Sequence, residues 1–314
     1  MPMTSWKSPA VVFPGQGSQG PAMGEAWRGR PGWSIVGEAE EILRRALEPM
    51  LLDPDAAPAS TTDAQLSVVL CSVLSWEALS TTLCGEGGPR PLLAGHSLGF
   101  VSALHAAGVL TVRETIEVVA LRARVTEAAC DGTGGMTALL LGAEGAHKAC
   151  ADISGCWVAN DNAPSQTVIA GTYAGLRAAE SAAGELGAGD IIPLDVAGPF
   201  HTPLMCQASR EFLAGLRDIP FTRSRAAVVH NGRTHRAGDT GPNTWRELVA
   251  ADLITPVRWC DTQHALARAG ADAIIEAGHG RTLTGLAKRT LGRMPLFNAA
   301  SFEACEAIAA LLPS

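Results

Sequence analysis

No stretch of this sequence approaches the roughly 18 uninterrupted apolar residues of a membrane span. The N-terminus also lacks a charged segment leading into a long apolar run, so neither a membrane anchor nor export is expected. Positive charge is short: 24 Lys and Arg against 31 Asp and Glu leave a net charge of −7, which argues against an overall nucleic-acid footprint. The eight cysteines (71, 84, 130, 150, 156, 206, 260 and 305) contain no C-x-x-C pair and have no histidine nearby at ligand spacing. A zinc site is therefore not expected, and no other metal or cofactor is called for. Buried reduced thiols in a cytoplasmic protein are the simpler reading.

What is present is a core. A chain of 314 residues with 47 % apolar content is long enough to bury about three quarters of the surface its unfolded form exposes. Strand-like runs such as "AVVF" (10–13) and "RPLLAG" (90–95) alternate with helical patterns at 35–50 and 64–83, the sign of an α/β fold with a mainly parallel sheet. "FVSALHAAG" reads as a helix closed by Gly108, and Thr111 with Glu114 forms a capping box that opens a longer helix through about Cys130. The middle of the chain differs, reading as strand, helix, strand, strand, helix, strand, which is the split βαβ signature of a ferredoxin-like unit. We therefore expect a ferredoxin-like subdomain at 134–198 inserted into a larger α/β domain formed by 1–133 and 199–314, with a cleft between them.

"VVFPGQGSQG" (11–20) carries the G-x-G-x-x-G spacing of many dinucleotide sites. The rest of that fingerprint is missing, because Pro14 and Pro21 flank the glycines and Glu38, Glu40 and Glu41 fall within a helical stretch instead of ending a second strand. A stronger signal is "LLAGHSLGFVSAL" (92–104), in which Gly95, Ser97 and Gly99 form the G-x-S-x-G of a nucleophile elbow between a strand and a helix. The bland alternative is a chance Gly-Ser-Gly turn, which the flanking pattern disfavours.

A serine hydroxyl needs a base. Of the eight histidines, His96 adjoins the serine and is expected to point away, His147, His230 and His235 lie in polar stretches read as exposed, and His105 and His264 sit on helices. His279 in a Gly-rich turn stays open on sequence alone. His201, in "AGPFHTPLM", falls where the small subdomain returns the chain to the large one and opens onto the expected cleft.

Taken in order, "FPGQGSQ", "GHSLG", Arg122 in "ALRARV", "NDNAPSQTVIAG", "PFHTPLM", "PVRW" and "EAGHGRTLTGLAKR" resemble the malonyl-CoA:acyl carrier protein transacylase family, which includes polyketide synthase acyltransferases. The resemblance runs over nearly the whole chain. It implies a hydrolase-like α/β domain with a ferredoxin-like insertion, and transfer of malonyl from malonyl-CoA to the phosphopantetheine thiol of an acyl carrier protein, in fatty acid or polyketide synthesis. Ser97 is implied as nucleophile, His201 as base, and the backbone N–H groups of Gln16 and Leu98 as the oxyanion hole. Arg122 is implied to grip the malonyl carboxylate. Its helix is apolar on nearly every face, and without the resemblance an internal ion pair would be the preferred reading of that arginine. Phe200 resembles the ring that excludes branched acids in malonyl-selective members, and Gln65, Asn160 and Asn162 match polar positions of the site.

Two positions depart from the family pattern. Phe100 stands where glutamate usually follows "GHSLG", and Asp252 where glutamine usually precedes "L-x-x-PV". The resemblance implies that this second residue orients the base through its main-chain carbonyl, in which case the swap is silent. An aspartate side chain near His201 would instead raise the imidazole pKa and approach a full triad, favouring hydrolysis or another acyl group. The competing readings are an acyl carrier protein thioesterase, an esterase using Asp190 or Asp195, and a non-catalytic docking module. Arg281, Lys288, Arg289 and Arg293 are the basic residues proposed to meet an acidic carrier, with a solvated helix face as the alternative.

Overall fold

Pro9–Phe13 (β1) is buried at every position and lies at the centre of the principal sheet. The computed structural model describes residues 8–55, 57–58, 60–85, 91–130 and 132–311. Arg90, at the head of the expected second strand, lies outside the described residues, and that strand spans Leu92–Gly95 (β2). The strands that follow are Gly134–Leu139 (β3), Cys156–Ala163 (β4), Gln166–Thr172 (β5), Ile191–Pro193 (β6), Val228–His230 (β7), Arg233–His235 (β8), Val257–Arg258 (β9), Ala273–Ala277 (β10) and Leu296–Ala299 (β11).

The principal sheet has the order β11-β10-β1-β2-β7-β8. Its pairs are parallel except for the β7–β8 hairpin. Ala10 pairs with Leu92 and Phe13 with Gly95, so β1 and β2 end side by side and the loops after them share one edge of the sheet. Sites of α/β sheets collect at such carboxyl ends.

The second sheet runs β6-β3-β5-β4-β9. Its first four strands pair antiparallel in the ferredoxin-like order, with helices Ala143–Cys150 and Tyr173–Glu185 completing the unit. The fifth strand comes from outside the 134–198 segment: β9 pairs in parallel with β4, Asn160 opposite Val257. Together the sheets give the expected fold, an α/β hydrolase-like unit with a ferredoxin-like insertion.

Local chemistry explains the helices around them. Thr111 and Glu114 make both hydrogen bonds of a capping box, and Val112–Ala128 follows. Ser60 caps Thr61–Leu83 by accepting from the Asp63 N–H. That helix is long and apolar enough to cross a membrane, but it is core: 72 % of its most apolar window is buried. The helix expected at 35–50 is two pieces, Ser34–Leu43 and Glu48–Leu52, because Arg44 turns left-handed (φ 52°) and ends the first. The Gly-rich turn of "EAGHGRTL" is organised by buried Glu276, whose carboxylate oxygens accept the Leu283 and Thr284 N–H groups at 2.9 and 2.8 Å and so cap helix Thr282–Leu291.

Candidate active site

Between Gly95 and Gly99 the chain turns so tightly that neither position tolerates a side chain. A Cβ on Gly95 would sit 2.0 Å from the Gly99 backbone, and one on Gly99 would sit 2.1 Å from the Phe13 carbonyl oxygen. The residue between them absorbs the strain: Ser97 has φ 50°, a left-handed conformation costly for a non-glycine residue. This lifts its hydroxyl off the end of β2 at the start of helix Gly99–Ala106. The loop after β1 packs against the same turn, and a Cβ on Gly15 would lie 2.6 Å from the His96 carbonyl oxygen. After Gly20 the chain makes turns and a short 3-10 helix, Glu25–Trp27, so no helix begins within the G-x-G-x-x-G motif and no dinucleotide cradle forms.

His201, itself left-handed (φ 62°), brings Nε2 to 2.8 Å from Ser97 Oγ. Its Nδ1 faces two carbonyl oxygens, Asp252 O at 2.6 Å and Thr255 O at 3.2 Å. Carbonyls only accept, so the proton resides on Nδ1 and the Nε2 lone pair is directed at the serine. The His201 N–H also donates to Leu253 O at 3.0 Å. Residues 252–255 therefore form a seat of main-chain oxygens under the ring. The Asp252 carboxylate does not join it; it turns to His230 Nε2 at 3.2 Å. This corrects the full-triad expectation, because the side chain is engaged elsewhere. Burial drives the His201 pKa down to about 4, with Asp252 pulling it up and Arg122 pushing it down. At neutral pH the ring is an uncharged acceptor. Asp190 and Asp195 are exposed, and the carbonyl seat leaves them no part in orienting the ring.

Arg122 lies on helix Val112–Ala128, 4 % exposed. Its Nη1 donates to Gln65 Oε1 at 2.6 Å, and its Nη2 reaches Ser97 Oγ at 3.3 Å. Gln65, fully buried, is held in turn by Thr126. Among the described residues no carboxylate forms an ion pair with the guanidinium, although burial lowers its pKa only to about 10 and it stays charged. The internal ion pair is thereby excluded among those residues.

A pocket of about 210 Å³ opens over these groups, lined by strands β3, β4 and β5 of the second sheet, by the loops that follow β1 and β2 of the principal sheet, by the chain from Leu194 to His201, and by helix residues such as Arg122 and Leu286. Gln16, Ser97, Arg122, Asn160, Asn162, Phe200 and His201 all line it, whereas Gln65 and Asp252 stand behind the wall. The Gln16 and Leu98 N–H groups have no acceptor among the described residues. Asn162 accepts from His96 Nε2 at 2.8 Å, so His96 edges the pocket instead of pointing away. Sequence reasoning also missed Met136, Leu194 and Val196, apolar wall residues whose strand and loop positions carry no signal of that use. His230 and His235, in stretches read as exposed, are themselves buried at 8 % accessible each, although Arg233, Thr234 and Arg236 beside them are exposed. Cys84 departs from the buried-thiol reading, being exposed, and Cys130 and Cys206 are only half-buried.

The chain matches the acyl transferase domain family over residues 10–311. A malonyl CoA-acyl carrier protein transacylase from a Synechocystis strain is 33 % identical over 293 residues, covering 92 % of this chain and 96 % of that protein. Among solved structures, an acyl-carrier-protein S-malonyltransferase from Burkholderia pseudomallei superposes with a TM-score of 0.89 at 32 % identity, covering 97 % of this chain and 99 % of the other. A malonyl-transacylase solved with a type II polyketide acyl-carrier protein gives 0.89 at 30 % identity, covering 96 % and 98 %.

Proposed function

The chain belongs to the acyl transferase domain family, and from that premise we propose a ping-pong serine acyltransferase that moves malonyl from malonyl-CoA to the phosphopantetheine thiol of an acyl carrier protein. The observation that carries this reading is Arg122, a buried cation with no protein carboxylate among the described residues, 3.3 Å from the nucleophile. Leaving a buried charge unpaired costs about 3–5 kcal/mol, so the site is built to receive an anion. Malonyl supplies one at the far end of its acyl group. A planar guanidinium takes a carboxylate by two parallel bonds. A hydrolase of short uncharged acyl groups has no use for it.

In the proposed mechanism Ser97 Oγ passes its proton to His201 Nε2 and attacks the thioester carbonyl. The negative oxygen of the tetrahedral intermediate is received by the Gln16 and Leu98 N–H groups, a donor pair in which each member is worth about 2.7–4 kcal/mol. The C–S bond then breaks and Nε2 returns the proton to the CoA sulfur. In the second half, the carrier's thiol gives its proton to Nε2 and attacks the malonyl-serine ester; Ser97 recovers its hydroxyl and the acyl group leaves as a new thioester. Phe200, 6 % exposed in the pocket wall, fills space that a 2-methyl branch would require.

For the carrier, helix Thr282–Leu291 offers a two-sided element: Thr282, Leu283 and Leu286 face the pocket while Lys288 and Arg289 are exposed, with Arg281 and Arg293 beside them. We take these four as the contact for an acidic carrier, and we place the enzyme in the cytoplasm, where buried thiols such as Cys71 and Cys305 remain reduced. Radiolabelled malonyl-CoA should label the native protein, release the label to carrier thiol, and leave Ser97→Ala unlabelled. Equal labelling of both proteins rejects the mechanism.

A further inference from the structure

The two departures from the family pattern, Phe100 and Asp252, are 152 positions apart in sequence yet meet at one histidine. His230 ends β7 and is 8 % exposed. One face of its ring stacks on Phe100 with centroids 4.0 Å apart and planes 18° from parallel. Its Nε2 lies 3.2 Å from Asp252 Oδ1, and since a carboxylate only accepts, the Nε2–H donates. Phe100 is the second residue of the elbow helix; Asp252 begins the seat of carbonyls under His201. Both ends of the cluster thus abut the reacting pair, and none of the three side chains lines the pocket.

We propose that Phe100, His230 and Asp252 form a buried clamp that fastens the carbonyl seat to the elbow helix, making His230 a positioning residue for the base. A carboxylate on the loop under His201 has two places to go. It can turn up to Nδ1 and displace the carbonyl, or it can be drawn away. His230 draws it away, so the main-chain oxygen of the same residue is the one presented to the ring. The stack on Phe100 fixes the plane of His230, and with it the direction of the donated bond. A glutamate at 100 would put a second carboxylate beside Asp252, whereas a phenyl ring gives the imidazole a flat apolar floor. The two departures therefore work as a pair.

The clamp also keeps a negative charge at constant distance from His201, where it opposes the effects of burial, of Arg122 and of His96. On the far side of the cluster, burial and then the neighbouring His230 push the His235 pKa down. Both follow from the geometry and give the clamp a readout that packing alone would not move.

This inference rests on the reading of His201 as base, and the two are separable. His201→Ala should abolish transfer; if it does not, the base reading fails. With that control in place, His230→Phe preserves the stack and deletes the donor. We expect kcat for malonyl transfer to fall roughly ten- to hundredfold through misplacement of the base, with KM for malonyl-CoA unchanged because Arg122 and Gln65 are untouched. His230→Asn, which retains an N–H toward Asp252, should recover much of the loss. Native kcat in His230→Phe overturns the clamp, as does a loss that His230→Asn fails to recover while the melting temperature drops in step. Should His230→Phe not fold, Asp252→Asn carries the test. It keeps the carbonyl and the acceptor but removes the charge, so the acidic limb of kcat should move to lower pH; a limb that stays in place overturns the proposal.

Discussion

Two buried charges flank the Ser97–His201 pair, and they are treated in opposite ways. The Arg122 guanidinium has a neutral amide and a hydroxyl for partners and no carboxylate among the described residues. The Asp252 carboxylate has a histidine donor, itself stacked on a phenyl ring. One charge is left incomplete on the pocket side and the other is completed on the protein side. A cation waiting for an anion selects a ligand, whereas an anion already satisfied can only shape its surroundings. The comparison teaches that burial alone does not mark a substrate contact; the missing partner does.

Breaking the incomplete side should have the largest effect. Arg122→Ala is expected to reduce kcat/KM for malonyl-CoA by the equivalent of about 2–5 kcal/mol, roughly thirtyfold to several thousandfold. Acetyl-CoA, lacking the distal carboxylate, should lose far less. Equal losses for both donors in acyl-enzyme formation would remove Arg122 from substrate recognition. Breaking the completed side should be milder and blind to the donor: Asp252→Ala is expected to slow both acyl groups alike, by about tenfold or somewhat more, since what suffers is the base. A donor-dependent loss there would contradict the division of labour between the two charges.

Selectivity against branching gives a smaller contrast. Phe200→Leu opens space next to His201, and the ratio of methylmalonyl to malonyl transfer should rise by about tenfold, in the range a hydrophobic pocket discriminates. An unchanged ratio in a competition assay would make the ring ordinary packing.

The weakest handle is pH. His201 and His235 are each held neutral by burial, with pKa near 4 against an ordinary 6.5. Above pH 6.5 folded and unfolded chains bind the same protons at these sites. Between 6.5 and about 4 the unfolded chain binds more, so stability should decline as pH falls through that window. The acidic limb of kcat/KM, which reports the free enzyme, should lie in the same low range; a limb centred on 6.5 would show that His201 is not desolvated as the geometry requires.

How much of this was legible in sequence follows from where each signal originates. Gly95 and Gly99 announce themselves because tight turns admit no other residue, and the flanking strand and helix do the same through periodicity. Thr111 and Glu114 are a local pattern read within four residues, and the capping box is there. Arg122 was legible as a buried cation from the apolar character of its helix, although its freedom from carboxylates required coordinates. The clamp was not legible. Phe100 and Asp252 stand out singly as departures, but they come from an elbow helix and a helix C-cap with nothing local to link them, and His230, read in an exposed polar stretch, ends a strand that β2 and β8 flank within the sheet. The fifth strand of the small sheet was hidden for a similar reason, since two residues pairing with a strand about 100 positions earlier leave no local trace. Arg44 ended a helix by its backbone angle, which composition does not encode.

That short strand has a mechanical consequence. Val257 and Arg258 pair with β4 on one wall of the crevice, and the oxygens on which the imidazole rests, those of Thr255 and Asp252, lie two and five residues upstream of Val257. The tether between them is too short to absorb much slack. If the antiparallel layer swings outward to admit or release a bulky thioester, it tugs directly on the cradle of the proton acceptor, so the gate and the trigger are one linkage.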